Sequence, residues 1–320
     1  MSDGTGIEWT DATWNPVRGC TRVSDGCRYC YAERVAVRFS GPGMPYEGLA
    51  ESVVRVHGDG SESLLARWTG KIKIVEEHME DPLRWKRPRR IFVNSMSDLF
   101  HDNVPDVEID RIFAVMALAH QHTFQVLTKR PKRMMEYLTT PGRAELISWE
   151  AAKVEGNAAE WHSLPLPNVW LGVSVENQSA ADERIPFLTK TPAAVRFLSC
   201  EPLLGPIDTL EARMKAWDGS AFPPPKIDWV IAGGESGPHA RPMHPDWARS
   251  LRDQCVASAV PFFFKQWGEW KPGAIGNYAR RMVGDGSVVR DERDVMSRVG
   301  KKNAGAELDG VTHKAFPVGA

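Results

Sequence analysis

Short apolar runs rich in β-branched residues alternate with segments of helical spacing along most of this 320-residue chain, and that alternation restricts the fold more than any other feature. Strands are expected at Ile91–Asn94, Thr123–Thr128, Val169–Val175, Val195–Ser199, Trp229–Ala232 and Val260–Phe264, after a short first strand. Helices are expected at Tyr31–Phe39, Val107–His120, Lys132–Leu138, Ala180–Leu188 and Pro245–Ser258. In the second helix, Ile109, Ile112, Phe113, Met116 and Ala119 recur at helical spacing behind Pro105 and mark a buried stripe. The strands are almost wholly apolar, as parallel strands covered on both faces must be. The pattern implies an α/β fold, a partial or near-complete (β/α) TIM-type barrel, whose functional groups collect just after the strands.

The expected barrel domain covers 1–270, with excursions near 41–68 and 142–167 that lack clear periodicity and suit lids or recognition loops. Residues 271–320 form an expected C-terminal extension packed on it. A content of 42% hydrophobic residues suffices for a core of this size. No stretch has the character of a signal peptide or a membrane span, so a cytoplasmic protein that does not enter a membrane is expected.

Five cysteines without a secretory signal argue against a disulfide framework. Cys20, Cys27 and Cys30 fall within eleven residues on the loop after the first strand, a spacing that implies a metal site. Three thiolates can hold three irons of a cubic cluster and leave the fourth iron open; alternatively they bind zinc with a distant His or Cys as the fourth ligand. Cys200 and Cys255 lie far along the chain. The formal net charge of −1 gives no global attraction to nucleic acid, but Trp85–Arg90 and Lys129–Arg133 are local basic runs. Each is either a phosphate-contacting patch or an ordinary solvated loop. Glu201, Glu235, His239, Arg241, Lys265 and Gln266 also fall at or after strand ends, and the paired Gly233 and Gly234 would let backbone approach a ligand closely. Trp267 and Trp270 either stack on a base or pack the tail.

The run Asn15-Pro-Val-Arg-Gly-Cys20 with its Cys27-Arg-Tyr-Cys-Tyr31 ending resembles the radical S-adenosylmethionine enzymes, in particular the branch that includes spore photoproduct lyase. Over nearly its full length the chain is also similar to the phage Gp37/Gp68 family, through Ile7–Pro16, Phe92–Phe100, Gly233-Gly-Glu-Ser-Gly237 and Phe263–Trp270. The resemblance implies a barrel of the radical enzyme kind, with a 4Fe-4S cluster on Cys20, Cys27 and Cys30 and S-adenosylmethionine on the open iron. Reductive cleavage of that cofactor would yield a 5′-deoxyadenosyl radical, with a flavodoxin or ferredoxin as electron donor and a nucleic acid or nucleotide base as substrate.

By the same resemblance Tyr29 packs against the adenine, Ser97 and Asp98 lie beside the cofactor, Lys129 pairs with its carboxylate, and Ser174 lies near its ribose or methionine end. From their position after strands rather than from the resemblance, Gly233 and Gly234 form either part of the cofactor or substrate wall or an ordinary turn, and Glu201 and Glu235 are candidate catalytic groups. Two departures stand out. Six residues separate the first two cysteines where the radical enzymes usually have three, a lengthening that costs little, since doubling a loop costs about 0.6 kcal/mol. Met96 occupies the place of the lyase's hydrogen-donating cysteine, and a thioether has no such hydrogen; Cys200 is the candidate substitute, or else a small buried hydrophobe.

Overall fold

The computed structural model describes residues 5–56, 58, 60–156, 163–209, 226–273, 280–282 and 295–317. The protein is mixed α/β, with a parallel sheet of seven strands that are hydrogen-bonded in the order in which they occur along the chain. They are β1 (Ala12–Trp14), β4 (Arg90–Val93), β5 (Thr123–Thr128), β6 (Val169–Ser174), β7 (Val195–Cys200), β8 (Trp229–Gly233) and β9 (Phe262–Gln266). Along the chain, the hairpin strands β2 (Ala50–Val56) and β3 (Glu62–Trp68) come between β1 and β4. The chain divides into two compact units, 1–170 with 192–194, and 171–191 with 195–320.

In the first unit β1 pairs with β4 and β4 with β5, all parallel, Thr13 opposite Phe92 and Phe92 opposite Gln125. Their apolar side chains make a core that includes Trp14, Ile91, Val93, Phe124 and Val126, each at most 1% exposed. Helix α1 (Tyr31–Arg38) follows the cysteine loop, and α2 (Asp106–Leu118) buries the expected stripe Ile109, Ile112, Phe113 and Met116. Helix α3 (Pro131–Thr139) starts directly after β5, with Pro131 in the first turn where its missing N–H costs nothing.

Both excursions contain regular structure. Residues Ala50–Val56 (β2) and Glu62–Trp68 (β3) form an antiparallel hairpin whose base, Ala50 and Trp68, packs on Ala32 and Ala36 of α1. Residues Arg143–Glu155 form helix α4 against α2. Its helical period is hard to read because Leu146 and Trp149 face solvent while Arg143 is buried on Asp110, Nη1 to Oδ1 at 2.9 Å. The rest of that excursion, 157–162, lies outside the described residues.

In the second unit β8 pairs in parallel with β7 and β9, Ile231 opposite both Ser199 and Phe263. Helix α5 (Gln178–Lys190) is capped by Asn177, whose Oδ1 accepts from Ala180 N at 3.0 Å, and α6 (Pro245–Ala257) by His244, whose Nδ1 accepts from Asp246 N at 3.1 Å. The tail covers the outer edge of β9: Phe264 N donates to His313 O and Ala315 N to Phe262 O. An edge so covered is closed to pairing with another chain. Trp267 and Trp270 are buried against this segment and its neighbours, their Nε1 groups donating to Glu307 O and Ala240 O, which is the packing role of the two expected. Among the described residues no helix is long and apolar enough to cross a membrane.

Candidate functional site

The cysteine loop is built at the C-terminal ends of β1 and β4. Asn15 Oδ1 accepts from Ser95 Oγ and Met96 N, both at 3.1 Å, and Asn94 Oδ1 accepts from Val17 N at 3.3 Å. Asn94 itself takes a left-handed backbone, φ 62°, an uncommon conformation that turns the chain sharply off β4. Ser97 Oγ donates to Val17 O at 2.9 Å and Ser97 bridges to Gly19. Gly19 has φ +94°, and a Cβ there would sit 2.1 Å from Lys71 O, so only glycine admits the crossing that precedes Cys20.

Two ion pairs fix the loop, one with only its carboxylate buried and one buried on both sides. Arg22 grips Glu33 of α1 through one edge of its guanidinium, Nε to Oε1 at 2.8 Å and Nη2 to Oε2 at 2.6 Å, and Nη2 also donates to Ala66 O of the hairpin. Cys27 and Cys30 lie between these two residues in sequence. On the other side Arg130, at the start of α3, donates through Nη1 to Asp98 at 3.0 Å and through Nη2 to Thr21 Oγ1 at 2.6 Å. His101 Nε2 stands 3.0 Å from the same hydroxyl.

Asp98 is enclosed by donors. Phe100 N and Thr128 Oγ1 reach Oδ1, at 3.0 and 2.7 Å, while Lys129 N and Arg130 Nη1 reach Oδ2, both at 3.0 Å. Its carboxylate therefore ties the end of β4 to that of β5 and aims Lys129 and Arg130.

The three thiols are free and half-buried. Cys20 and Cys30 rest on one apolar floor of Ala32, Ala36, Leu49, Ala50, Trp68 and Met96. Burial and then the Asp98 carboxylate push the Cys20 thiol up to about 12, against the pull of Arg130; Cys30 and Cys27 are near enough to add to the rise. Burial raises Cys30 as well, and the N–H groups of Glu33 and Ala32, the charge on Lys129 and the cap position of Cys30 on α1 act in the opposite sense. A metal that displaces these protons relieves the cost of ionising them.

Does the site suit a cluster? Among the described residues no three His, Cys, Asp or Glu side chains stand close enough together for one metal ion. The sulfurs are thus neighbours but not gathered around a point. A zinc ion, at about 2.3 Å from each sulfur, needs that gathering, whereas a cube spreads its thiolates over separate irons. Arg130 Nε, on a side chain only 8% exposed, has no acceptor in hydrogen-bonding geometry among the described residues; the Asp102 carboxylate is 3.9 Å away. The guanidinium also hydrogen-bonds the Cys20 side chain, so an N–H is held beside that sulfur, where an anionic group bound at the loop would accept it.

Tyr29 carries Arg28 over its ring at 5.6 Å from the centroid. The two basic runs separate in space: Trp85–Arg90 precedes β4, at the opposite end of the strands from the cysteines, and Lys129–Arg133 follows β5 at the cysteine end. Arg133 in the latter run is spent on the carbonyl oxygens of His101 and Val104.

The remaining candidates belong to the second unit. Ser174 is buried at the end of β6, and its carbonyl accepts from Arg184 Nη1 at 2.7 Å, which also pairs with Glu176 at 2.9 Å. Cys200 is fully buried, its thiol held well above the usual range by burial and then by Cys255 of α6. Glu201 pairs with Lys265 at 3.0 Å and takes a longer bond, 3.4 Å, from Ser199 Oγ.

Glu235, 6% exposed, is clasped by Arg241 at 2.9 Å and 2.6 Å and by the Arg241 backbone N–H. The glycine pair has a steric reason: a Cβ on Gly233 would lie 2.7 Å from Glu201 Oε1, and one on Gly234 2.0 Å from Trp267 O. Gly234 thus serves the approach of β8 to the loop after β9. Gly233 makes room for the Glu201 carboxylate.

Sequence reasoning missed Arg22, Glu33 and Thr21, and saw Arg130 only as part of a basic run. Arg22 and Glu33 are eleven residues apart on a loop and a helix, without a local pattern to join them. Arg130 had a usable signal, since it follows β5 as Asp98 follows β4, and neighbouring parallel strands bring such ends together.

Fold and site together define a mixed α/β protein with a tri-cysteine loop at the C-terminal ends of parallel strands. The chain belongs to the family described as a protein of unknown function (DUF5131), whose model matches residues 4–317. No curated protein and no solved structure matches it.

Proposed function

We propose that this protein is a radical S-adenosylmethionine enzyme built on a partial (β/α) barrel, akin to the spore photoproduct lyase branch and the phage Gp37/Gp68 proteins, and that it acts on a nucleic acid or nucleotide base. The observation that carries the reading is the tri-cysteine loop at the C-terminal ends of β1 and β4, with Cys20 and Cys30 on one apolar floor and the Arg130 guanidinium beside Cys20. Cys20, Cys27 and Cys30 would hold a 4Fe-4S cluster. When bound, the cluster supplies one electron, from a flavodoxin or ferredoxin, that cleaves the sulfonium of S-adenosylmethionine to methionine and a 5′-deoxyadenosyl radical.

The chain's own residues do the rest. Asp98 holds the ends of β4 and β5 together, and Lys129, whose backbone N–H it accepts, would pair with the cofactor's carboxylate. Ser97 spends its hydroxyl on Val17 and shapes the loop, and Tyr29 offers a ring to the adenine. Met96 lies in the apolar floor, where it excludes water and donates no hydrogen. Glu201 and Glu235 are proposed to act through the lysine and arginine they orient, Lys265 and Arg241.

Anaerobic reconstitution with iron and sulfide should give a brown protein with broad visible absorption, and dithionite with S-adenosylmethionine should release 5′-deoxyadenosine. Each of Cys20→Ala, Cys27→Ala and Cys30→Ala should abolish both signals while the circular dichroism spectrum is retained. A colourless protein that binds one zinc per chain would overturn the proposal.

A further inference from the structure

Arg130 does more than pair with Asp98. Its Nη2 donates to Thr21, the residue after Cys20, at the side-chain oxygen and, at 3.4 Å, at the carbonyl. Its Nη1 is taken by Asp98. That leaves Nε, buried and with the Asp102 carboxylate 3.9 Å away, beyond hydrogen-bonding distance, on a guanidinium close enough to Cys20 to hydrogen-bond its side chain and for each to favour the other's charged form.

Resting on the cluster proposed above, we infer that Arg130 is a positioning residue for the first ligand: it clamps Thr21, and hence Cys20, against the start of α3, and keeps one N–H for the anionic cluster. Reduction adds one negative charge to the cluster. A buried N–H donor stabilises the reduced state more than the oxidised one and raises the reduction potential. Asp98 cancels much of the guanidinium's charge at a distance, so the effect comes from the short-range donor and needs the arginine fork.

The test is a redox titration of the reconstituted holoprotein, followed by electron paramagnetic resonance, in wild type, Arg130→Gln and Arg130→Lys. The lysine variant still gives Asp98 a cationic partner, which preserves the fold, but one ammonium cannot serve Asp98, Thr21 and the cluster together. With iron per chain equal to wild type, both variants should show a lower midpoint potential, the glutamine variant more so. Wild-type potentials in both variants at full iron content would overturn the inference. A wild type that binds no iron would instead refute the cluster proposal, a result visible before any variant is made.

Discussion

Asp98 and Arg130 stand 3.0 Å apart with each side chain 8% exposed, and between them they join the end of β4, the end of β5 and the residue after Cys20. The resemblance to radical enzymes implies a place for Asp98 beside the cofactor. Its four donors make it the joint that positions its neighbours.

Removing that joint should unfold the region before it affects ligand binding. Asp98→Ala leaves a buried guanidinium without its counter-charge, and breaking a buried pair in this way costs about 3–5 kcal/mol. Urea denaturation of the apo protein should show a loss of that size. A loss below about 1 kcal/mol would mean that solvent reaches Arg130 and that the pair resembles a surface one.

Lys129 should separate binding from folding. Its backbone N–H serves Asp98, which any side chain allows, while its ammonium lies near enough to Cys30 to favour the thiolate. Lys129→Ala should therefore keep the urea midpoint and the iron content, yet weaken S-adenosylmethionine binding by about 1.5–3 kcal/mol, the range for a charge-assisted contact. Isothermal titration on the reconstituted protein gives the comparison; an unchanged dissociation constant removes Lys129 from the cofactor site.

The five thiols should fall into two classes. Cys20, Cys27 and Cys30 are half-buried, whereas Cys200 and Cys255 are buried at 0% and 4% exposure. Burial raises Cys20 and Cys255 alike to about 12, so access and not thiolate content divides the classes: solvent reaches the three loop thiols but not Cys200 or Cys255. Ellman's reagent on native apo protein should titrate three thiols and reach five only in denaturant. Rapid modification of Cys200, located by peptide mapping, would show that it is accessible and restore it as a hydrogen-donor candidate.

The parallel strands were legible because burial on both faces forces an unbroken apolar run, and Thr123–Thr128 agrees to the residue. The first helices were legible where a single stripe faced the core, as in α2. The hairpin and α4 were not, for a common reason: Val54, Val56 and Leu64 at the hairpin's far end, and Leu146 and Trp149 on α4, are apolar yet exposed, so hydrophobicity and burial part company there. At the site, the cysteines announced themselves by spacing. Their supports did not, because an ion pair such as Arg22–Glu33 joins positions set by the tertiary fold, and a single sequence carries no mark of the pairing.

His122 gives the first unit a pH dependence whose sign can be worked out. It is 1% exposed, with Nε2 3.1 Å from Pro82 O, so the neutral ring donates there, and Nδ1 has no partner among the described residues. Protonation would place a second N–H where nothing accepts it. Burial accordingly lowers its pKa from the usual 6.5, with Arg89 adding to the fall, although the carbonyl groups of Pro82 and Trp85 oppose it. Below that value, and down to the depressed pKa of the folded state, the unfolded chain binds the proton and the native state does not. Stability then rises with pH up to about 6.5 and is lost on acidification, by at most about 1.4 kcal/mol per pH unit for one group. Urea midpoints at pH 7.5 and 5.5 should therefore differ more in wild type than in His122→Gln, which keeps a donor for Pro82 but does not titrate. Equal slopes in the two proteins, or an imidazole that titrates at or above 6.5 by NMR in the folded state, would show that His122 takes up its proton without cost and that solvent reaches Nδ1.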